Sequence, residues 1–230
     1  RHILDAPVGM RRIIARMKGD EAAARALKPD AEVPKVYRDR PIYYFTNRFS
    51  IVGPDAEVTW PAYSKLMDYE LEFAAVLWGG GSNIALKDAG SHIFGYTIFN
   101  DFSARDAQLA EMQGMLGPAK GKSFDAGNAL GPYILTADEM PDPYSLKAVA
   151  RVNGEVWTDS STAGMLHSFE DMITYVSRSE TLHAGEVFGS GTVNGGCGLE
   201  HDRFMAPGDM IELEVARLGT LRNRVLAATG

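Results

Sequence analysis

The chain has 230 residues, 45% of them hydrophobic and 23% charged, with 23 basic against 30 acidic side chains and a net charge of -7. That balance suits one globular chain with a sizeable core, excludes disorder and coiled coil, and its acidic excess offers no general footprint for nucleic acid. The longest apolar runs, such as residues 73–78, fall far short of the roughly 20 that span a bilayer, and the lone Cys197 permits no intrachain disulfide and no cage of cysteines around zinc. A small-molecule partner, no membrane, and a reducing, cytoplasmic setting are therefore expected.

Residues 1–35 are rich in helix formers, in two stretches at 10–17 and 20–27 that Pro29 closes, and predict one or two short helices. From Ile42 the pattern changes to short β-rich runs: 42–45, 71–77, 95–99, 132–135, 148–152, 155–157 and 210–215. Helices are expected between them at 87–92, 103–112 and 168–177, the last carrying Phe169, Met172, Ile173 and Val176 at helical spacing. Asn153-Gly154 suits the positive φ angles of a type I′ hairpin turn, and Pro207-Gly208-Asp209 leads into a strand in which Ile211, Leu213 and Val215 alternate with glutamates. The expected fold is a β-rich α+β one, with a helical N-terminal segment over residues 1–40 and the main domain over 41–230.

Period-two geometry puts Asp68, Glu70 and Glu72 on one face of the run at 68–77. Like charges so close are tolerated when they point to solvent, when a cation sits between them, or when one takes up a proton. Pattern leaves these open. Asp101 ends the next strand; it or Ser103 can cap the helix that follows, while Arg105 and Gln108, three residues apart near that helix start, would make a carboxylate-binding corner.

The loop 116–125 carries Lys120 and Lys122 but is no Walker A motif, because the Gly-x4-Gly-Lys-Ser/Thr spacing from Gly117 fails. It is either a solvated basic loop or a means of bringing a lysine to an acidic site, where a compact ammonium neutralises an enolate. The glycine-rich stretch 189–198 offers close backbone approach and the hydroxyl of Thr192, and serves equally as a turn. Cys197 has no histidine close in sequence to activate it, and no two of the five histidines make an i, i+4 metal pair.

Asp68-Tyr69-Glu70-Leu71-Glu72, the stretch from Gly95 to Gln108, Gly121-Lys122-Ser123-Phe124-Asp125, Gly191-Thr192, and the runs 207–212 and 219–223 occur in this order. The ordered set, far more specific than any one member, resembles the fumarylacetoacetate hydrolase family over residues 40 to 226. The resemblance implies a mixed β-sandwich roll, usually dimeric, that holds one Mg2+, Mn2+ or Ca2+ between three carboxylates, here Glu70, Glu72 and Asp101. It implies 2-oxo or 1,3-diketo acid substrates, met at the positions of Arg105, Gln108 and Lys122, with Thr192 closing over the substrate carboxylate and Lys122 stabilising enolate charge.

The leading expectation is a metal-dependent hydrolase of carbon–carbon bonds in fumarylacetoacetate-like or acylpyruvate-like acids, serving the catabolism of aromatic compounds. A 2-hydroxyhepta-2,4-diene-1,7-dioate isomerase, an oxaloacetate-type decarboxylase, and a protein that binds metal and 2-oxo acid without turnover stand beside it. The sequence departs from the family pattern in two places. Residues 1–35 hold no His-x-x-Glu of the kind the family's lid supplies as a base, and Asn47 stands where the family has a lysine. Three explanations stay open for the lid: it lies in a segment outside this chain, which is favoured; another group takes its role; or the chemistry is an isomerisation that needs less.

Overall fold

Ile211, Leu213 and Val215 are buried at every second position of one strand, which gives one face to the interior, whereas Leu71 to Ala75 are buried at every position of another, which is covered on both faces. The computed structural model describes residues 1–228, and in it these are inner strands of two five-stranded sheets. The first sheet runs in the order β1 (Ile51–Val52), β7 (Asn128–Thr136), β5 (Ile93–Asp101), β4 (Leu71–Leu77), β10 (Val187–Gly189), antiparallel except for β1 with β7. The second runs β2 (Glu57–Thr59), β12 (Gly219–Leu226), β11 (Met210–Val215), β8 (Lys147–Val152), β9 (Glu155–Ser161), antiparallel except for β2 with β12. A third, two-stranded piece pairs β3 (Met67–Asp68) with β6 (Ser103–Ala104).

The core between the sheets is one contiguous cluster that includes Phe73, Ile98, Val152, Leu213 and Leu221. It is closed at one end by α6 (Phe169–Val176), whose Phe169 meets Phe73 edge to face at 5.1 Å. Ser168 caps this helix in a reciprocal capping box with Asp171. The hairpin joining β8 and β9 turns at Asn153 and Gly154, both at positive φ, as their residue types require. The remaining helices are α1 (His2–Met17), α2 (Glu21–Ala26), α3 (Lys35–Asp39), α4 (Leu86–Ala89), α5 (Arg105–Met112) and α7 (Gly198–His201).

Three expectations are corrected. Residues 42–45 are not a strand; they run extended without ladder partners and with their rings largely exposed, so this apolar run does not mark core. Residues 2–17 form one long helix through Pro7, and α3 follows at residues where no helix was expected. The helix expected from residue 103 starts at Arg105, because Ser103 and Ala104 pair with β3; neither Asp101 nor Ser103 caps it. Ile13 of the N-terminal helix packs with Cys197 and Leu199 in a second apolar cluster.

Candidate metal and substrate site

β4 is an inner strand flanked by β5 and β10, which removes the solvent-facing alternative for its carboxylates. Glu72 lies on β4 opposite Phe99, and Glu70 precedes the strand, its carbonyl accepting the N–H of Asp101 at the end of β5. Glu70, Glu72 and Asp101 are all buried, and one carboxylate oxygen from each lies within 4.8 Å of the others. Gly189 on β10 makes room for this cluster, since a Cβ there would stand 2.7 Å from Glu72 Oε2.

Lys122 enters from the loop after a short 3-10 turn at Ala119–Gly121 and is 1% exposed, so it is not part of a solvated loop. Its ammonium donates to Glu70 Oε2 at 2.7 Å, to Asp101 Oδ2 at 2.9 Å and to the Asp101 carbonyl at 3.2 Å. Gly121 allows that approach: a Cβ would collide with Gln108 of α5 at 2.5 Å.

Asp68, the third carboxylate of the sequence face, is used differently. It accepts the backbone N–H groups of Gly198 and Leu199 and the Nε of Arg105 at 2.8 Å. Arg105, also buried, donates from Nη1 to Glu70 Oε1 at 2.8 Å and to Gln108 Oε1 at 2.9 Å. Thus Arg105 and Gln108 meet as expected on one helix face, and the guanidinium points into the carboxylates. Thr192 is half-buried on the loop after β10, which is stitched to β4 by Gly191 N–H to Glu72 Oε2 at 3.1 Å and Val193 N–H to the Leu71 carbonyl.

Sequence reasoning missed Tyr44, whose hydroxyl donates to Asp101 Oδ2 from the segment expected to be a strand. A Tyr-Tyr-Phe run carries no periodic signal that separates a site-closing loop from a strand, so this contact is purely tertiary. No histidine side-chain hydrogen bond reaches Glu70, Glu72 or Asp101 among the described residues.

The electrostatics say what the cluster lacks. Four carboxylates (Asp68, Glu70, Glu72, Asp101) face two cations (Arg105, Lys122), so full ionisation leaves two negative charges in a dry interior. Burial pushes the Glu70 carboxyl up, but Lys122 and Arg105 outweigh it and hold Glu70 well below the usual carboxylate range. Glu72, with no cation within salt-bridge reach, is driven well above that range by burial and by the charges of Asp101 and Glu70. Asp101 Oδ1 is buried with no hydrogen-bond partner. A divalent ion would supply the missing charge and give that oxygen a partner, and an all-oxygen donor set suits a hard cation. The residues present therefore fit the metal that the resemblance implies. A cavity of about 540 Å3 beside Trp60, Tyr63 and Ser123 is lined by none of these groups, so charge and not volume marks the site.

The family model described as fumarylacetoacetate (FAA) hydrolase C-terminal matches residues 12–226. The chain is 38% identical over 197 residues to human "Oxaloacetate tautomerase FAHD2A, mitochondrial", a match covering 84% of this chain and 60% of the relative. It is 35% identical to "Oxaloacetate tautomerase YisK" of Bacillus subtilis, covering 84% and 62% respectively. The chain thus spans about 60% of the length of these curated relatives. Among solved structures, the fumarylacetoacetate hydrolase of Exiguobacterium antarcticum superposes with a TM-score of 0.71 at 36% identity, covering 77% of this chain and 63% of that one. With a sandwich of mixed sheets and a buried carboxylate cluster that follows the family's motif order, the chain belongs to the fumarylacetoacetate hydrolase family.

Proposed function

We propose that the protein is a divalent-metal-dependent enzyme of 2-oxo acids that interconverts the keto and enol forms of a short dicarboxylic substrate of the oxaloacetate kind. The observation that carries the reading is the doubly charge-deficient cluster of Glu70, Glu72 and Asp101 with Lys122 at its edge. The tautomerase names of the curated relatives support it. Glu70, Glu72 and Asp101 would hold Mg2+ or Mn2+, with Ca2+ also suited to the oxygen ligands. Bound there, the ion supplies Lewis-acid polarisation of a chelating 2-oxo acid.

The chain's own residues do the rest. Keto–enol exchange moves a proton from the carbon next to the carbonyl to the carbonyl oxygen, so negative charge grows on that oxygen. Lys122 is placed to stabilise it, because its ammonium already lies 2.7 to 2.9 Å from the carboxylate oxygens of the site. Arg105 braces Glu70 against Asp68 and leaves Gln108 and Thr192 to meet the substrate's outer oxygens. Tyr44 closes the side of Asp101.

The solved hydrolase at 36% identity favours a second reading, carbon–carbon bond hydrolysis of an acylpyruvate-like or fumarylacetoacetate-like acid, which builds the same enolate and also suits the catabolism of aromatic compounds. An isomerase or decarboxylase of such acids uses the same charges. One assay separates them: oxaloacetate, an acylpyruvate, fumarylacetoacetate and a 2-hydroxy-diene-dioate are followed by absorbance with Mg2+ or Mn2+ and again with EDTA. Metal-dependent keto–enol exchange of oxaloacetate without loss of carbon is the expected result; cleavage of a diketo acid would replace the reading with the hydrolase, and binding without turnover would replace it with a silent binding protein. We also propose a homodimer in a reducing compartment, on the family resemblance, the single cysteine and the exposed rings of Phe45 and Phe49; sedimentation equilibrium giving a monomer would remove the dimer. No helix among the described residues is long and apolar enough to cross a membrane, and the human relative is named as mitochondrial.

A further inference from the structure

A second group of metal-ligating side chains lies behind Glu70, and the proposed reaction uses none of it. Cys197 precedes α7 and Glu200 lies within it, three residues on, so a single helical turn brings the sulfur and the carboxylate to one side, with Sγ 3.4 Å from Glu200 Oε1. His2, at the start of α1, arrives from the far end of the sequence, its Nδ1 2.8 Å from the same Oε1 and 4.0 Å from Sγ. We propose that His2, Cys197 and Glu200 form a binding site for a borderline-soft divalent ion of the Zn2+ kind, distinct from the all-oxygen cluster.

The geometry is that of three ligands around one point. Bond lengths of about 2.0 Å to nitrogen and oxygen and about 2.3 Å to sulfur, set at tetrahedral angles, place the donors about 3.3 to 3.5 Å apart. The three observed separations, 2.8, 3.4 and 4.0 Å, bracket those values. The arrangement is not a nucleophile relay, because Cys197 and Glu200 both face Nδ1 of His2, whereas a relay uses the two opposite ring nitrogens.

Support around the ligands is in place. The second oxygen of Glu200 is fixed by the Gly195 N–H at 3.1 Å, and Ile13, Leu199, Met10 and Phe204 pack a dry wall against Cys197. The His2 side chain is 24% exposed, which leaves a way in and a fourth position for water. Sulfur and imidazole select Zn2+ over Mg2+, the reverse of the oxygen cluster. Because Cys197 forms a β-bridge with Glu70 and Gly196 accepts the Leu71 N–H, an ion here would tie α1 to the wall of the carboxylate site.

The test uses the full chain, stripped by chelator, saturated with Mg2+ and titrated with Co2+. Cobalt bound by carboxylates gives no sulfur charge-transfer band, and Cys197 is the only cysteine, so a near-ultraviolet thiolate-to-cobalt band reports this site alone, whatever becomes of the oxygen site and of the proposed activity. The expected result is a band that saturates at one equivalent, is displaced by Zn2+, vanishes in Cys197→Ser, and weakens about tenfold or more in apparent affinity in His2→Ala and Glu200→Gln with circular dichroism unchanged. The two latter variants carry the test if Cys197→Ser fails to fold. Absence of the band at excess Co2+, or a band whose affinity His2→Ala and Glu200→Gln leave unchanged, overturns the proposal.

Discussion

Asp68 and Arg105 share the interior with Glu70, and what each side chain does follows from what else it touches. Asp68 is wholly committed: two backbone N–H groups of α7 and the Arg105 Nε take both its oxygens. Asp68→Asn keeps the shape but removes a buried charge, leaving Arg105 to Glu70 and Gln108. Because Arg105 keeps Glu70 as its partner and burial already favours the uncharged form of Asp68, the cost is that of weakened hydrogen bonds to α7 and Arg105, about 1–3 kcal/mol. Urea unfolding should show the midpoint falling with an unchanged slope, and a midpoint at the wild-type value would show that Arg105 does not need Asp68. Lys122 tests chemistry instead. Lys122→Met should lower turnover about a hundredfold or more, by removing the charge opposite a growing oxyanion, while Mg2+ still binds by calorimetry. Near wild-type turnover removes Lys122 from the reaction. The sequence announced Glu70 and Glu72 by period-two spacing and a like-charge problem, and motif order pointed to Asp101 and Lys122. It hid the partnership of Asp68 with the start of α7, because 130 residues of chain separate them and no local pattern encodes that return.

Elements whose reasons are local could be read in advance. The 168–177 segment has both a periodic apolar face and its own start signal, and the structure places Ser168 as the cap with Phe169, Ile173 and Val176 buried. The 210–215 strand likewise shows its buried alternation directly. Residues 42–45 failed for the opposite reason: β propensity there is real, but a strand also needs a ladder partner, and this segment is held instead by side chains, the Tyr44 hydroxyl on Asp101 and the Tyr43 ring against Tyr175. The start of α5 slipped by two residues because β3 competes for Ser103 and Ala104. The capping box gives a prediction at this scale. Ser168→Ala leaves the N–H of Asp171 without its acceptor at the mouth of a helix that seals the core, and should cost about 1 kcal/mol, read as a lowered midpoint in chemical denaturation. No change would mean that the burial of Phe169 and Ile173, rather than the cap, fixes where the helix begins.

At the scale of the whole molecule, the buried charges couple metal, protons and stability. Glu72, pushed well above its ordinary value of 4.5 by burial and by Asp101 and Glu70, holds a proton that the unfolded chain releases at lower pH. Asp101 and Asp68 are shifted in the same direction, chiefly by burial. Where the folded state binds more protons than the unfolded one, stability falls as pH rises, so the metal-free protein should lose stability as pH climbs above the ordinary Glu72 value of 4.5. Glu70 is shifted the other way, and its contribution is already complete above its ordinary pKa, so it does not alter the slope in that window. A divalent ion on the three carboxylates must displace the Glu72 proton, and its affinity therefore rises with pH while binding releases up to about one proton. Because such an ion would bind only the folded arrangement of β4, the end of β5 and the Lys122 loop, it would stabilise by mass action. Thermal melts in EDTA and in saturating Mg2+ should diverge as pH is raised, the metal-free curve falling and the loaded one holding. Calorimetry in buffers of different ionisation enthalpy should count the released proton. Parallel melts with no proton release would mean that Glu72 is ionised without the ion, and that Lys122 and Arg105 already balance the cluster.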